Sequence, residues 1–526
     1  MPTASTPDRD AAGRRVVRVV FTALLLDLMA FTMPLPLFPR IIEDFVRTEA
    51  AHPSLAPTLL SQTMTVVRTL RANLFSLAAP ASIGAACGDA LSAAQSSQWD
   101  LTLLGGLLAS LFSFCQFLIS PAIGRLSDRY GRRRVLLATM AGNVASAALW
   151  LFADRFEVYA LSRVVGGLSE GNVQLSIAAI TDVTTPATRA RSLALVGAAF
   201  SLAFTVGPSI GAYLSQRAFA HASVVNLSWL GEVHLNAYAV PAAMTLALLA
   251  FETAYLALYL PETRGWHTEG DDASAEVGTD EKSAATEPSQ PVETLSQPSS
   301  AAALSSSLST TPAAAVSRLG SLSVTHFLFL FFFAGAEFTL CFLTHALFRF
   351  TNAQNGRLLG FVGLLSAALQ GGYVRRRRAG AGAGAAGTAQ LAERGMHACA
   401  LALAALAALP HLAPGPAATG ALWAAAALLA FVSASVVNSL NALASLAAPR
   451  GHGAGAGAGA ALGRFRSAGQ LGRALGPLAT TAVYWSLGPT TAYAAGAVGV
   501  AVVARRMAAV RRAEERVERG ARDKRE

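Results

Sequence analysis

"GRLSDRYGRRR", Gly124–Arg134, gathers six charged residues and two glycines into eleven positions. On one side stands "LTLLGGLLASLFSFCQFLISPAI" (101–123) and on the other "VLLATMAGNVASAALWLF" (135–152). Both flanks approach the roughly 20 mainly apolar residues that a helix needs to cross a bilayer. The charged stretch is therefore a short loop between two membrane-crossing helices. Gly124 lets helices approach closely, and Gly131 permits a tight turn. Asp128 can pair with Arg129, with Arg132 or with a neighbouring helix end, and Arg133 adds to the positive edge. A cluster of this kind can hold one arrangement of a rocking protein and release it in another.

The remaining composition agrees with a membrane chain. It is 53% hydrophobic and 14% charged, where a water-soluble domain carries about a quarter charged residues. Lysine occurs only at Lys282 and Lys524, so the net charge of +10 is almost wholly arginine. These arginines stand at the ends of apolar runs, where they set membrane orientation rather than bind nucleic acid. Cys87, Cys115, Cys341 and Cys399 have no metal-binding or disulfide-framework spacing. There is no HExxH or GxxxxGK[ST] pattern. Neither catalytic residues nor a metal or other cofactor is expected, and ATP-driven transport by this chain alone is excluded.

Twelve apolar runs are read as spans, near 16–38, 101–122, 134–153, 156–180, 192–214 and 238–260, then 322–347, 356–374, 391–412, 419–447, 464–485 and 488–506. The predicted fold class is an all-α membrane protein with two pseudo-symmetric six-helix halves. Its expected organisation is an N-terminal tail (1–15), a first half (16–260) with a long extracytoplasmic loop (39–100), a disordered cytoplasmic linker (261–320), a second half (321–506) and a charged tail (507–526). The linker is acidic and rich in Ser, Thr and Pro, a composition that buries too little apolar surface to fold. The Gly/Ala tracts at 379–387 and 451–460 are read as tethers without chemistry. Arginine-rich loops at 125–134, 189–191 and 375–378 share a side with both ends, so the termini are expected in the cytoplasm. No short apolar segment with a small-residue cleavage site opens the chain, so no cleaved signal is expected. The sequon Asn226-Leu227-Ser228 falls in an opposite-facing loop.

The charged loop fills every fixed position, Gly124 to Leu136, of a signature that resembles the loop between helices two and three of the major facilitator superfamily. Other stretches resemble the same family: "LLLDLMAFTMPLPLFP" its first helix in tetracycline-type exporters, "LSRVVGGL" its fourth helix, and "TVGPSIGAY" (Gly207, Pro208, Gly211) its fifth-helix antiporter motif. Gly166 replaces the usual glutamine in the fourth helix, and Ala212 replaces a frequent glycine in the fifth. "PETRG" (261–265) closes the first half as the family often does. The second half is more diverged. "LQGGYVRRRR" lacks the latch aspartate, while "RALGPLATTAVYW" repeats the Gly-Pro of helix five in helix eleven, a trace of duplication. "GGLSEGNVQLSIAAITD" and "FAGAEFTLCFLTHALFRF" are similar to a eukaryotic tetracycline-transporter-like branch, which the resemblance associates with organic anions and drugs.

An ionisable side chain at mid-membrane costs about 2.5–3.5 kcal/mol on insertion scales, so each needs a partner or a role. Asp27, Arg163, Glu170, Glu252 and Glu337 are assigned to transport and proton coupling. Arg466, Gln470 and Arg473 form an i, i+4, i+7 stripe suited to an anion, because guanidinium offers forked donors. Internal ion pairs are the competing role: Arg163 with Asp27 or Glu170, and Arg473 with Glu337. Asn438 and Asn441 read as interhelical glue, and His326 and His345 as residues near helix ends. The expected function is secondary transport of an organic anion or amphipathic drug in exchange for protons by a monomer in lipid. The alternatives are a non-transporting receptor or scaffold and, less favoured, a polytopic membrane enzyme.

Overall fold

The computed structural model describes residues 6–34, 37–51, 56–78, 89–217, 223–227, 231–235, 238–266, 312–374, 376–377, 384–412, 415–448 and 457–523. Its first half contains α1 (Thr6–Thr32), α2 (Phe38–Ala51), α3 (Leu59–Ala78), α4 (Asp89–Tyr130), α5 (Arg132–Leu151), α6 (Phe156–Ser169), α7 (Asn172–Val183), α8 (Pro186–Arg217) and α9 (Ala239–Tyr259). The second contains α10 (Pro312–Phe348), α11 (Asn352–Leu369), α12 (Ala385–Leu412), α13 (Pro416–Ala447), α14 (Ala458–Ser486) and α15 (Pro489–Asp523). A π-helical turn, Gln370–Val374, ends α11. The all-α expectation holds, with α6 and α7 together forming one crossing. One departure is a two-stranded antiparallel hairpin of β1 (Ser223–Leu227) and β2 (Gly231–Leu235), where Asn226 of the sequon faces Glu232.

Among the described residues, eight helices are long and apolar enough to cross a membrane: α4, α5, α9, α10, α11, α12, α13 and α15. The four remaining crossings, α1, α6–α7, α8 and α14, carry Asp27, Arg163, Glu170, Pro208, Arg466, Gln470 and Arg473. The fourth crossing is split into helices of 14 and 12 residues, each too short to span alone, while α1 and α14 carry charged residues within their apolar runs. Polar groups inside a bundle are affordable only where other helices or a water-filled space surround them.

Each half closes on its own first helix through glycines. Side chains at Gly207 and Gly211 on α8 would collide with Thr32 and the Met33 carbonyl on α1. At Gly472 and Gly476 on α14 they would collide with the carbonyls of Phe327 and Phe331 on α10. The Gly-Pro repeat thus marks equivalent helix contacts in the two halves. Close backbone approach through small residues is the usual means of packing helices in lipid.

Several segments read as loops or tethers are helical. The stretch 39–100 contains most of α2, all of α3 and the start of α4. Leu37, Ile41, Ile42, Leu60 and Met64 join the core beside Trp150 and Phe156, so apolar burial orders this region. A cavity of about 390 Å³, lined in part by Val46, Leu60, Met64, Glu49 and Arg68, lies between α2 and α3. In the expected linker, α10 already begins at Pro312, and Thr263 is buried; 267–311 lies outside the described residues. The charged tail continues α15 to Asp523. Both Gly/Ala tracts end as helix N-termini, at Ala385 and Ala458.

Candidate functional site

The charged loop joins α4 to α5 at the face where α1 starts and α15 ends. Gly131 turns with φ 100°, and a Cβ there would strike the Glu262 carboxylate. Glycine is needed on both counts. Glu262, from "PETRG", accepts hydrogen bonds from the backbone N–H groups of Arg132 (2.7 Å) and Arg133 (3.2 Å), capping α5. Arg132 is buried and bridges two acids, Asp128 at 2.7 Å and Asp182 at 2.9 Å. Arg133 donates to the Ala257 carbonyl and Arg264 to that of Arg129. Thr263 also reaches Asp182, at 3.4 Å.

Asp128 carries this network into the other half. Its Oδ1 accepts from Gly459 N–H (3.0 Å) and its Oδ2 from Ala460 N–H (2.7 Å). These are among the first N–H groups of α14, which have no partner within their own helix. Gly457, at the N-cap position, makes no side-chain cap, so a carboxylate from α4 caps α14 across the halves. Anions at a helix N-terminus are worth about 0.3–1 kcal/mol when exposed and up to about 2 when partly buried. The tract read as a tether therefore ends in the receptor for Asp128. Its legible signal was the spacing Gly459-x3-Gly463, which faces Ser120-x3-Gly124. A Cβ on Gly124 would overlap the Gly459 carbonyl, and one on Gly463 would crowd Ser120. The contact continues inward, where Ser467 donates to the Phe117 carbonyl at 2.7 Å.

A second seam joins α8 to α11 and α13. Ser201 and Ser366 hydroxyls lie 3.1 Å apart, and Gln370 Nε2 donates to Ser201 at 2.6 Å. A side chain on Gly197 would meet Asn438 and Gln370. Asn438 thus lies between the halves, and its own amide bond is to Ala434 at 3.4 Å.

At mid-membrane the fourth crossing breaks. α6 stops at Ser169, Glu170 takes an extended conformation (φ −75°, ψ 94°), and α7 resumes at Asn172. Discontinuous crossings are the usual cradle of transporter sites. Glu170 Oε1 lies 4.0 Å from Arg466 Nη2 on α14, an ion pair between the halves. Its Oε2 accepts from Asn143 at 3.4 Å. Asn172 donates to Asp27 at 2.8 Å, while its own oxygen accepts from Thr139 at 3.3 Å. Glu252 on α9 is buried, its Oε2 has no hydrogen-bond partner among the described residues, and it lies within the electrostatic reach of Asp27 and Glu170.

Asp27, Glu170, Glu252 and Arg466 are therefore brought together. Gln470 is buried on the same α14 stripe. Arg473 pairs with Glu337 on α10 at 3.7 Å, both about two-fifths exposed. Arg163 makes neither of its expected ion pairs. Its guanidinium lies over Tyr159 (5.4 Å), Trp150 (6.0 Å) and Phe112 (6.0 Å), a cation–π setting. The break at Glu170 takes that residue off the continuous helical face that linked it to Arg163. His326 is likewise not an end residue; it is buried and stacks on Phe465 at 4.4 Å. Sequence reasoning missed Asn143, Asn172 and Asp182, because uncharged or boundary residues give little signal until the fold supplies their partners.

The sequence profile of the Major Facilitator Superfamily matches residues 20–477. The mouse Major facilitator superfamily domain-containing protein 10 is 32% identical over 480 residues, covering 91% of this chain and 89% of that protein. The crystal structure of the human organic anion transporter MFSD10 (TETRAN) superposes with a TM-score of 0.67 at 28% identity, covering 94% of this chain and 99% of that one. The class C tetracycline resistance protein of Escherichia coli is 35% identical over 109 residues, 21% of this chain and 28% of that protein.

Proposed function

The chain belongs to the major facilitator superfamily and is a multi-pass membrane transporter rather than an enzyme; on that footing we propose that it carries an organic anion or amphipathic drug across the membrane, coupled to protons. The observation that carries this reading is the Glu170–Arg466 pair, set between the halves at a broken crossing with Asp27 and Glu252 beside it. Such charges are costly in lipid unless they serve cargo or ions. The human neighbour, described as an organic anion transporter, supports the substrate class, and the tetracycline-exporter likeness supports drugs.

Alternating access rocks α1–α9 against α10–α15 around this cluster. Asp128 on the α14 N-terminus latches the face that carries the chain ends. That face is cytoplasmic in this reading, because its loops hold most of the arginines. Exchange against protons is the coupling that the Gly207-Pro208-x-x-Gly211 motif implies, with Asp27 on the proton route.

The test is uptake of a panel of labelled organic anions and amphipathic drugs into liposomes holding purified protein. Empty liposomes and the Asp27→Asn variant run in parallel, with and without a pH gradient. Gradient-driven uptake that disappears in Asp27→Asn supports the proposal. Uptake indifferent to both removes proton coupling. No uptake across the panel sinks the transport reading in favour of a receptor or scaffold.

A further inference from the structure

Resting on the proton-coupled anion transport in that reading, but not on its proton exchange, we propose that Glu170 and an anionic substrate compete for Arg466, so that each anion bound brings one proton onto Glu170 and the two cross together. Charge must balance at a single, largely buried pair. Arg466 faces Glu170 at 4.0 Å, and its Nε has no hydrogen-bond partner among the described residues. The guanidinium thus has donor capacity that Glu170 does not use. A carboxylate or sulfonate that engages it displaces Glu170, which then faces buried surroundings with Asn143 alone.

With the ion pair intact, the pair sums to zero. With the anion on Arg466 and a proton on Glu170, it again sums to zero. Anion alone leaves one uncompensated negative charge, and proton alone leaves one positive charge on Arg466. Both singly loaded forms carry a buried net charge, the costly condition in a membrane interior. Only the empty and doubly loaded forms suit the rearrangement that moves the site between faces. For an anion the proton therefore travels with the cargo, a sign opposite to the exchange implied by the helix-five motif.

The surrounding charges do not supply the missing balance. Asp27 on α1 and Glu252 on α9 are themselves acids facing Glu170. On α14, Arg473 faces Arg466 but is already engaged by Glu337 at 3.7 Å. His326 on α10 faces both arginines and holds the Phe465 carbonyl through Nδ1. Asn143, Asn172 and Gln470 are neutral.

The experiment follows labelled p-aminohippurate, an aromatic monocarboxylate, into liposomes holding the wild-type chain, with a pH-sensitive dye inside. External acid is expected to raise initial uptake several-fold, with proton entry matching anion entry one for one. Glu170→Gln, a fixed neutral mimic, leaves Arg466 uncompensated in the empty site, so it is expected to lose net uptake, the acid stimulation and the proton signal while still exchanging external label for internal unlabelled p-aminohippurate. Wild-type uptake driven instead by internal acid overturns the proposal and leaves proton-exchange transport standing. Acid stimulation retained in Glu170→Gln overturns it as well. Saturable uptake with no response to either gradient does the same. The wild-type sign decides even where the variant fails to fold. No p-aminohippurate uptake, with none for the wider panel, fails the transport reading itself; none for p-aminohippurate while other anions move with internal acid fails this inference only.

Discussion

The two seams that join the halves occupy equivalent places in a duplicated fold yet are built from different chemistry. Between α4 and α14, a carboxylate caps a helix of the other half and is itself held by Arg132, which Asp182 anchors in turn. Between α8 and α11, the bonds are neutral: Ser201, Ser366 and Gln370. Charge-assisted hydrogen bonds are roughly twice as strong as neutral ones. The pseudo-symmetric bundle therefore has an asymmetric lock. In the proposed alternating access the first seam is the latch, and the second joins the halves without charge. The cause lies in the diverged loop after α11, where arginines remain but no aspartate stands to reach across.

A parallel device shows how far the duplication persists. Glu262, after the last helix of the first half, caps the N-terminus of α5. Glu518, near the end of the last helix of the second half, accepts from Ala386 N–H at 3.0 Å and caps α12. Around it, Arg511 pairs with Glu393 at 2.6 Å, and Arg318 pairs with Glu514. Both caps tie helices of one half together. Among the described residues, only the first is wired, through Arg132 and Asp128, to the opposite half.

The contrast can be broken at several strengths. The largest effect is expected from Gly124→Val, which forces a side chain into the Gly459 backbone. Overpacking costs about 1–3 kcal/mol, enough to disfavour closure by roughly five- to 150-fold. Initial uptake should fall accordingly, and labelling of single cysteines along α14 should rise; unchanged labelling would show that the seam does not close tightly.

Asp128→Asn removes the charge but keeps the shape. A loss of about 1–2 kcal/mol predicts roughly tenfold weaker closure and reduced transport, with membrane insertion intact. Normal transport by a correctly inserted variant would end the latch role. Ser201→Ala in the neutral seam should cost only about 1 kcal/mol, a few-fold change in rate at most. If it matches Asp128→Asn, the two seams are energetically equal and the lock is symmetric. The smallest effect belongs to Glu518→Gln. It should lower thermal stability by roughly 1–2 °C without changing uptake, because its network stays within the second half; a transport defect there would reveal a second latch.

Much of this was legible in the chain itself. Twelve crossings, their grouping into two sets of six and the charged loop at Gly124–Arg134 follow from apolar run length and arginine placement, which reflect the bilayer's thickness and dielectric and need no partner to be read. So were Asp27, Glu170, Glu252, Arg466 and Arg473, as ionisable residues within apolar runs that need a partner or a role. What each one touches was decided by tertiary structure. Arg163 lies one helical face from Glu170 in sequence, yet the break after Ser169 leaves it among aromatic rings and gives Glu170 to Arg466. Asp128 found its partner in a Gly/Ala tract of no apparent chemistry, since a helix N-terminus binds through backbone N–H groups that every sequence shares. Periodicity and hydropathy report on a residue's relation to solvent and lipid. Pairing across two halves, more than 290 positions apart for Glu170 and Arg466, depends on how whole helices meet, and that is settled only when the bundle closes.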